Sequence, residues 1–152
     1  MGWVEKELRE QQDSERGQSV QQAAAESSFQ RRALETWMAL VAGFKADVEE
    51  FRRITGRPQF DEQSRFQCRI ANPQARMAVI VSVDLPQHAI RYSYEPQDAN
   101  TAVPEEGVLT LRDSAGSVEL YSADELLTSQ QARRLVLEPL LFPGGQQESP
   151  AA

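Results

Sequence analysis

The apolar residues in the middle of the chain alternate strictly with other residues. In residues 77–85 every second side chain is large and apolar, and the alternation resumes over residues 90–94, after Pro86-Gln87-His88. Period-two alternation in β-branched and aromatic residues is typical of paired strands with one face against a core. We therefore predict a β-hairpin. Because Ala78 and Ile80 on the other side of the first strand are also apolar, we expect that strand to be central in its sheet.

Shorter segments with the same alternation flank this hairpin. Before it, Phe66, Cys68 and Ile70 alternate with polar residues, and two further segments follow at residues 108–112 and 117–121. Turn-forming residues separate all of these segments, and consecutive short connections favour antiparallel neighbours. The sequence predicts a five-stranded antiparallel β-meander.

The segment before the strands has helical spacing instead. From Leu34 to Phe51 the large apolar residues recur every three or four positions, and Ser27 with Gln30 forms a capping box ahead of them. This pattern predicts a long helix over about residues 28–54. Its apolar face is expected to lie on the sheet, with partial use in a homodimer as the alternative.

A second helix is predicted after the strands. Ser122 and Glu125 form another capping box, which predicts a helix over about residues 123–138. Ser129 offers a second possible start. Pro139 is expected to kink or end this helix because proline cannot donate the helical hydrogen bond.

The start of the chain differs in composition from the rest. Residues 1–27 are rich in Gln, Glu, Ser and Ala, so we expect a flexible polar arm that is partly helical, with Gly17 interrupting the helix. Alternatively, Trp3, Val4 and Leu8 form a short recognition patch that docks on a partner or on this domain.

Together these patterns predict an α+β fold with an N-terminal long helix, a five-stranded antiparallel β-meander and a C-terminal helix packed on the sheet. Residues 28–143 would form this single domain, and residues 144–152 a disordered tail. Either one helix covers each sheet face, or one face is free for self-association. The general plan is similar to that of small acidic dimeric secretion chaperones, which insert a helix between the third and fourth strands, where this chain has only the loop 96–106.

Composition narrows the classes of partner. The 152 residues include 16 Lys and Arg against 23 Asp and Glu, a net charge of -7. Because a negative field repels phosphates and anionic lipids, we expect neither nucleic acid nor a membrane as partner. The single cysteine excludes an intrachain disulfide, and the first residues do not resemble a secretion signal, so we expect a cytoplasmic protein.

Residue types that carry catalysis are scarce. Cys68 and His88 are the only side chains of their kinds, and we expect a buried thiol and a solvated turn histidine rather than a nucleophile pair. The acidic pairs lack the spacing of a calcium loop. We therefore predict no catalytic residues, no cofactor, no metal site and no enzyme, with a hydrolase as the least supported class.

The remaining candidates concern binding. The main hypothesis is a non-enzymatic protein-protein interaction module, an adaptor or chaperone-like binder that is possibly homodimeric. The alternative is a small-ligand carrier with an apolar pocket between sheet and helix. Four strand arginines could form a patch for an acidic partner, or pair across strands with acidic neighbours. The candidate interaction residues are Trp37, Phe44, Arg65, Arg69, Arg91 and Arg112, and the candidate pocket residues are Tyr92 and Tyr94 together with Trp37 and Phe44.

Overall fold

A computed structural model of the protein describes residues 2–143 as two α-helices and one seven-stranded sheet. A short 3₁₀ helix, Pro73–Ala75, connects the second and third strands. The predicted disordered tail lies outside the described residues. The elements in chain order are α1 (Trp3–Ile54), β1 (Gln59–Ser64), β2 (Gln67–Asn72), β3 (Met77–Asp84), β4 (Ala89–Pro96), β5 (Gly107–Ser114), β6 (Ser117–Ser122), β7 (Glu125–Leu127) and α2 (Ser129–Leu141).

The strands form an antiparallel meander, as predicted, but there are seven and not five. Each strand pairs with its neighbour in the chain, and Val81 of β3 lies between Cys68 of β2 and Tyr92 of β4. The two strands absent from the prediction are the edges, β1 and β7. The first carries one large apolar side chain, Phe60, and the second has three residues, so neither shows a long alternation.

Both helices pack on the same face of the sheet, where one hydrophobic core forms. Trp37 and Phe44 of α1 and Val136 of α2 are almost fully buried in this core with the inward side chains of β2 to β6. The Tyr94 hydroxyl donates to the Val136 carbonyl oxygen at 2.6 Å. Of the two arrangements left open by the sequence, the structure therefore has the one with a helix-free sheet face.

The first helix begins much earlier than the prediction. It runs from Trp3 without a break at Gly17, so the expected helix start at Ser27 is wrong. Gln30 donates to the Glu26 carboxylate at 2.8 Å within the helix and does not cap it. The many good helix formers around Gly17 outweigh the cost of one glycine, which is about 1 kcal/mol.

The second helix begins later than the capping box at Ser122 predicted. Ala123 has a φ of 54°, which places it in a turn, and the next residues form β7. The capping box lies at Thr128. Its hydroxyl accepts from the backbone amide of Gln131, and the side-chain oxygen of Gln131 accepts from the backbone amide of Thr128. Pro139 does not end the helix, which continues to Leu141 because the proline replaces only one amide donor near the last turn.

Phe66 lies outside the strand in which the sequence places it. The alternation with Cys68 and Ile70 predicted that its side chain faces the core, but β2 begins only at Gln67. Phe66 lies in the β1–β2 turn and is 42% exposed. Because Phe66 is not part of a strand, the alternation with Cys68 and Ile70 does not place its side chain on the buried face.

Candidate functional site

The most unusual surface of the protein is the N-terminal part of α1. We call residues 3–25 the free helix segment, since every one of its side chains is exposed and the first buried residue of α1 is Phe29. At about 1.5 Å per residue it extends roughly 35 Å. Within residues 2–143, its only ion pair joins Glu5 and Arg9 of the same segment, at 3.7 Å. The folded body thus leaves this helix without a packing partner.

The outer end of the free helix segment carries large apolar side chains. Trp3 is 77% exposed, and Val4 and Leu8 are each about half exposed. Val4 and Leu8 are four residues apart and so are neighbours on the helix surface. Clustered exposed apolar side chains are a feature of sites that bind another molecule.

A contact at its base determines where the segment leaves the body. Nε2 of His88, in the β3–β4 turn, lies 2.7 Å and 2.9 Å from the two carboxylate oxygens of Glu26. The His88 ring also stacks on Phe29, with 4.0 Å between centroids. The hydrogen bond from His88, followed by that from Gln30, lowers the pKa of Glu26. The sequence placed Glu26 in a polar arm and gave no indication of this contact.

A groove runs between the C-terminal end of α1 and α2. Its volume is about 450 Å³. Its apolar side chains come from both helices and from Phe142, whose ring lies edge-on to that of Phe51 at 5.5 Å. Charged side chains surround them, and Arg133 and Asp47 are paired. The lining residues are Asp47, Glu50, Phe51, Ile54, Gln130, Arg133, Arg134, Leu137, Glu138, Leu141 and Phe142.

The four aromatic candidates belong mainly to the core. Trp37 and Phe44 are 1% and 0% exposed, and the Trp37 indole donates to the Arg65 carbonyl at 3.0 Å. Tyr94 is buried, and burial raises its pKa. Tyr92 is half-buried, with its ring against Gly107 on β5. None of these four side chains lines the groove.

The four arginines occupy different places and two of them have acidic partners. Arg69 of β2 pairs with Glu95 of β4 at 3.2 Å, one instance of the pairing across strands that the sequence analysis gave as an alternative. Arg112 pairs with Asp124 at 3.0 Å and stacks over the Tyr121 ring. Arg65 lies in the β1–β2 turn, next to the exposed Phe66. Arg91 lies between Ser82 and Val108 on the helix-free face.

Cys68 and His88 lie in different surroundings. Cys68 is fully buried on β2, and burial raises the pKa of its thiol to about 12. The His88 imidazole contacts Glu26 and Phe29.

Within residues 2–143, no three His, Cys, Asp or Glu side chains are grouped so that they could bind a metal ion. Over the same part of the chain, neither helix has the length and hydrophobicity to span a membrane.

Comparison of the chain with protein-family models, curated proteins and solved structures finds no match.

Proposed function

We propose that the protein is a non-enzymatic protein-interaction module whose binding element is the free helix segment. The observation that carries this proposal is the full exposure of residues 3–25 along an unbroken helix that is anchored in the body only from Glu26 onward. The segment is attached to a folded domain but contributes nothing to its core.

Helix physics supports a role in binding. Isolated helices in water are marginal because nucleation is costly, whereas a helix that continues from an anchored one avoids that cost. The body therefore presents the segment already partly ordered, which lowers the entropy that a partner must offset. Trp3, Val4 and Leu8 would be the apolar anchors, a common arrangement when a helix binds a groove of another protein.

The groove between α1 and α2 supports a second candidate function. A groove of about 450 Å³ whose lining includes Phe51, Leu137 and Phe142 is of the size that binds small molecules. In this alternative the protein carries an apolar ligand between Phe51 and Leu137, at a different place from the pocket expected from the sequence. A thermal-shift screen tests it, since a specific ligand would raise the melting temperature in proportion to its occupancy.

Site-specific photo-crosslinking tests the main proposal. A photoreactive residue at Leu8 should crosslink to a defined protein in the native extract, and the same residue at Arg91, exposed on the sheet, should not. Equal crosslinking from both positions, or none from Leu8, would contradict the proposal.

Because the chain has a single buried thiol and no disulfide, we further propose that it works in the reducing cytoplasm.

A further inference from the structure

One side of α1 carries two exposed sets of residues with matching spacing. Arg9, Asp13, Arg16 and Val20 lie four, three and four residues apart, and so do Met38, Ala42, Lys45 and Glu49. All eight side chains are exposed. The first set belongs to the free helix segment and the second to the part of α1 that covers the sheet.

The two sets lie on the same side of the helix. Val20 and Met38 are separated by 18 residues of uninterrupted helix, which is about five turns at about 3.6 residues per turn. Each residue of the second set directly follows a buried residue of α1 and so lies about 100° further round the helix, on an exposed flank beside the buried side chains. A second long helix could therefore contact both sets at once without displacing the core.

The charges of the two sets are complementary when α1 of a second copy runs antiparallel. Arg9 then lies opposite Glu49, and Asp13 opposite Lys45. In the same register Arg16 lies opposite Ala42 and Val20 opposite Met38. The residue numbers of every pair add up to the same sum, as they must when two identical helices run antiparallel. Two-fold symmetry repeats every pair, so four ion pairs flank the apolar contacts.

The centre of this register also fits. Ala24 lies opposite the half-buried Leu34, and Ser27 lies opposite Arg31. Each of these pairs joins a small residue to a larger one, so the small side chains leave room for Leu34 and Arg31 of the other copy. Within residues 2–143, Asp13, Lys45 and Glu49 form no ion pair in one chain. Their charges are therefore available to a second copy.

We infer that α1 forms an antiparallel homodimer in which the free helix segment of each copy lies along the outer face of the other copy's α1. The inference rests on the proposed function, because the free helix segment is again the binding element, and adds a second copy of this chain as the partner on one side of that segment. The contact is isologous, so it closes at two subunits. In this register the part of α1 that covers the sheet in one copy lies beside the free helix segment of the other, so the two sheets lie at opposite ends of the helix pair.

Paired cysteines test the register directly. In one chain positions 20 and 38 are about 27 Å apart along the helix, too far for a disulfide, so a bond between Val20→Cys and Met38→Cys must join two chains. Under mild oxidation the double variant should become a covalent dimer. Each single variant should stay uncrosslinked, because its two copies of the cysteine are again about 27 Å apart. The native Cys68 is buried and does not compete.

Charge reversal tests the electrostatic argument. Glu49→Arg would place two arginines opposite each other at both ends and should weaken the dimer at least tenfold in sedimentation analysis. Adding Arg9→Glu should restore it. Glu15→Arg, on the other side of the free helix segment, is the matched control and should leave association unchanged.

The outcomes separate this inference from the proposed function. A wild-type chain that stays monomeric at high concentration, or a dimer in which the double cysteine variant does not crosslink, overturns the inference. Leu8 lies outside the antiparallel face, so crosslinking from Leu8 to a different protein would leave the proposed function standing. Suppose instead that Leu8 crosslinks to no other protein while the double cysteine variant forms a covalent dimer. That result would contradict only the proposal that another protein binds the free helix segment.

Discussion

Arg133 of α2 lies directly against the backbone of Gly43 in α1. A Cβ atom at position 43 would lie 2.6 Å from both Cδ and Nε of Arg133. The guanidinium Nη1 donates to both carboxylate oxygens of Asp47, at 2.6 Å and 2.7 Å, and to the Gly43 carbonyl oxygen at 3.3 Å. The missing side chain of Gly43 thus lets α2 dock closely on α1, beside the groove that Asp47 and Arg133 help to line.

Gly43→Ala should destabilise the protein by about 1–2 kcal/mol. Alanine favours a helix interior by about 1 kcal/mol over glycine, but displacing Arg133 breaks a half-buried ion pair, which costs about 2–3 kcal/mol. In an Arg133→Ala background the clash is gone, so the same substitution should stabilise the helix by about 1 kcal/mol. Urea unfolding measures both values. An effect of the same sign in the two backgrounds would show that Arg133 does not depend on Gly43.

The two faces of the sheet should respond very differently to a charge. Val81 of β3 is fully buried under both helices, so Val81→Asp would bury an unpaired carboxylate at a cost of several kcal/mol and should prevent folding. Ser82→Asp, one residue further on the helix-free face, should cost less than about 1 kcal/mol. Circular dichroism and soluble yield measure the difference. A folded Val81→Asp chain would contradict the described core.

The contact between Glu26 and His88 should make stability depend on pH. The hydrogen bond from His88 lowers the pKa of Glu26 below its ordinary value of 4.5. A lowered folded-state pKa stabilises the fold above the ordinary pKa, and this contribution disappears as the pH falls through the lowered value. The advantage of wild type over Glu26→Gln should therefore shrink as the pH falls below about 4.5.

Urea unfolding at several pH values checks this expectation. Glu10→Gln, in the free helix segment, is the control and should leave the unfolding free energy unchanged at each pH. In His88→Asn, which keeps a residue tolerant of the left-handed φ of 53°, the pKa of Glu26 should move back toward 4.5. An unchanged pKa of Glu26 in that variant would show that His88 is not the cause.

Local sequence patterns predict the centre of this fold well and its ends poorly. The alternation through Val81 and the helical spacing through Trp37 reflect burial, and burial is also what the structure shows at both positions. The edge strand around Phe60 has little to bury and so leaves no pattern. Ser122 and Glu125 have the spacing of a capping box, but in the structure they are paired across β6 and β7. Tertiary pairing therefore outweighs the local helix preference at this position.

The candidate site was predicted less well than the fold. Trp3, Val4 and Leu8 were recognised as a possible recognition patch, but the arm was expected to be flexible and interrupted at Gly17. The contact between Glu26 and His88 joins residues 62 positions apart, and no short-range pattern reports such a pair. Helical spacing predicted Trp37 and Phe44 as binding candidates, but both are buried in the core. The same spacing is expected of a helix face that packs in a core and of one that binds a partner.

At concentrations too low for the inferred homodimer to form, removing residues 1–25 should leave the melting temperature almost unchanged. None of residues 2–25 is buried, and the anchoring Glu26 remains in the shortened chain. Far-UV circular dichroism should lose the signal of more than six helical turns at about 3.6 residues per turn. Thermal unfolding of both chains checks this. A fall of more than about 5 °C, corresponding to roughly 1–2 kcal/mol in a domain of this size, would show that the segment stabilises the body.

The most direct test of the proposed function compares this shortened chain with the full chain as bait in the same native extract. Bound proteins would be identified and quantified by mass spectrometry, with copies of the bait itself counted separately. Because the body stays folded, the account predicts that proteins held by the full chain are lost from the shortened one. The same set of proteins in the same amounts on both baits would contradict a binding role for the free helix segment.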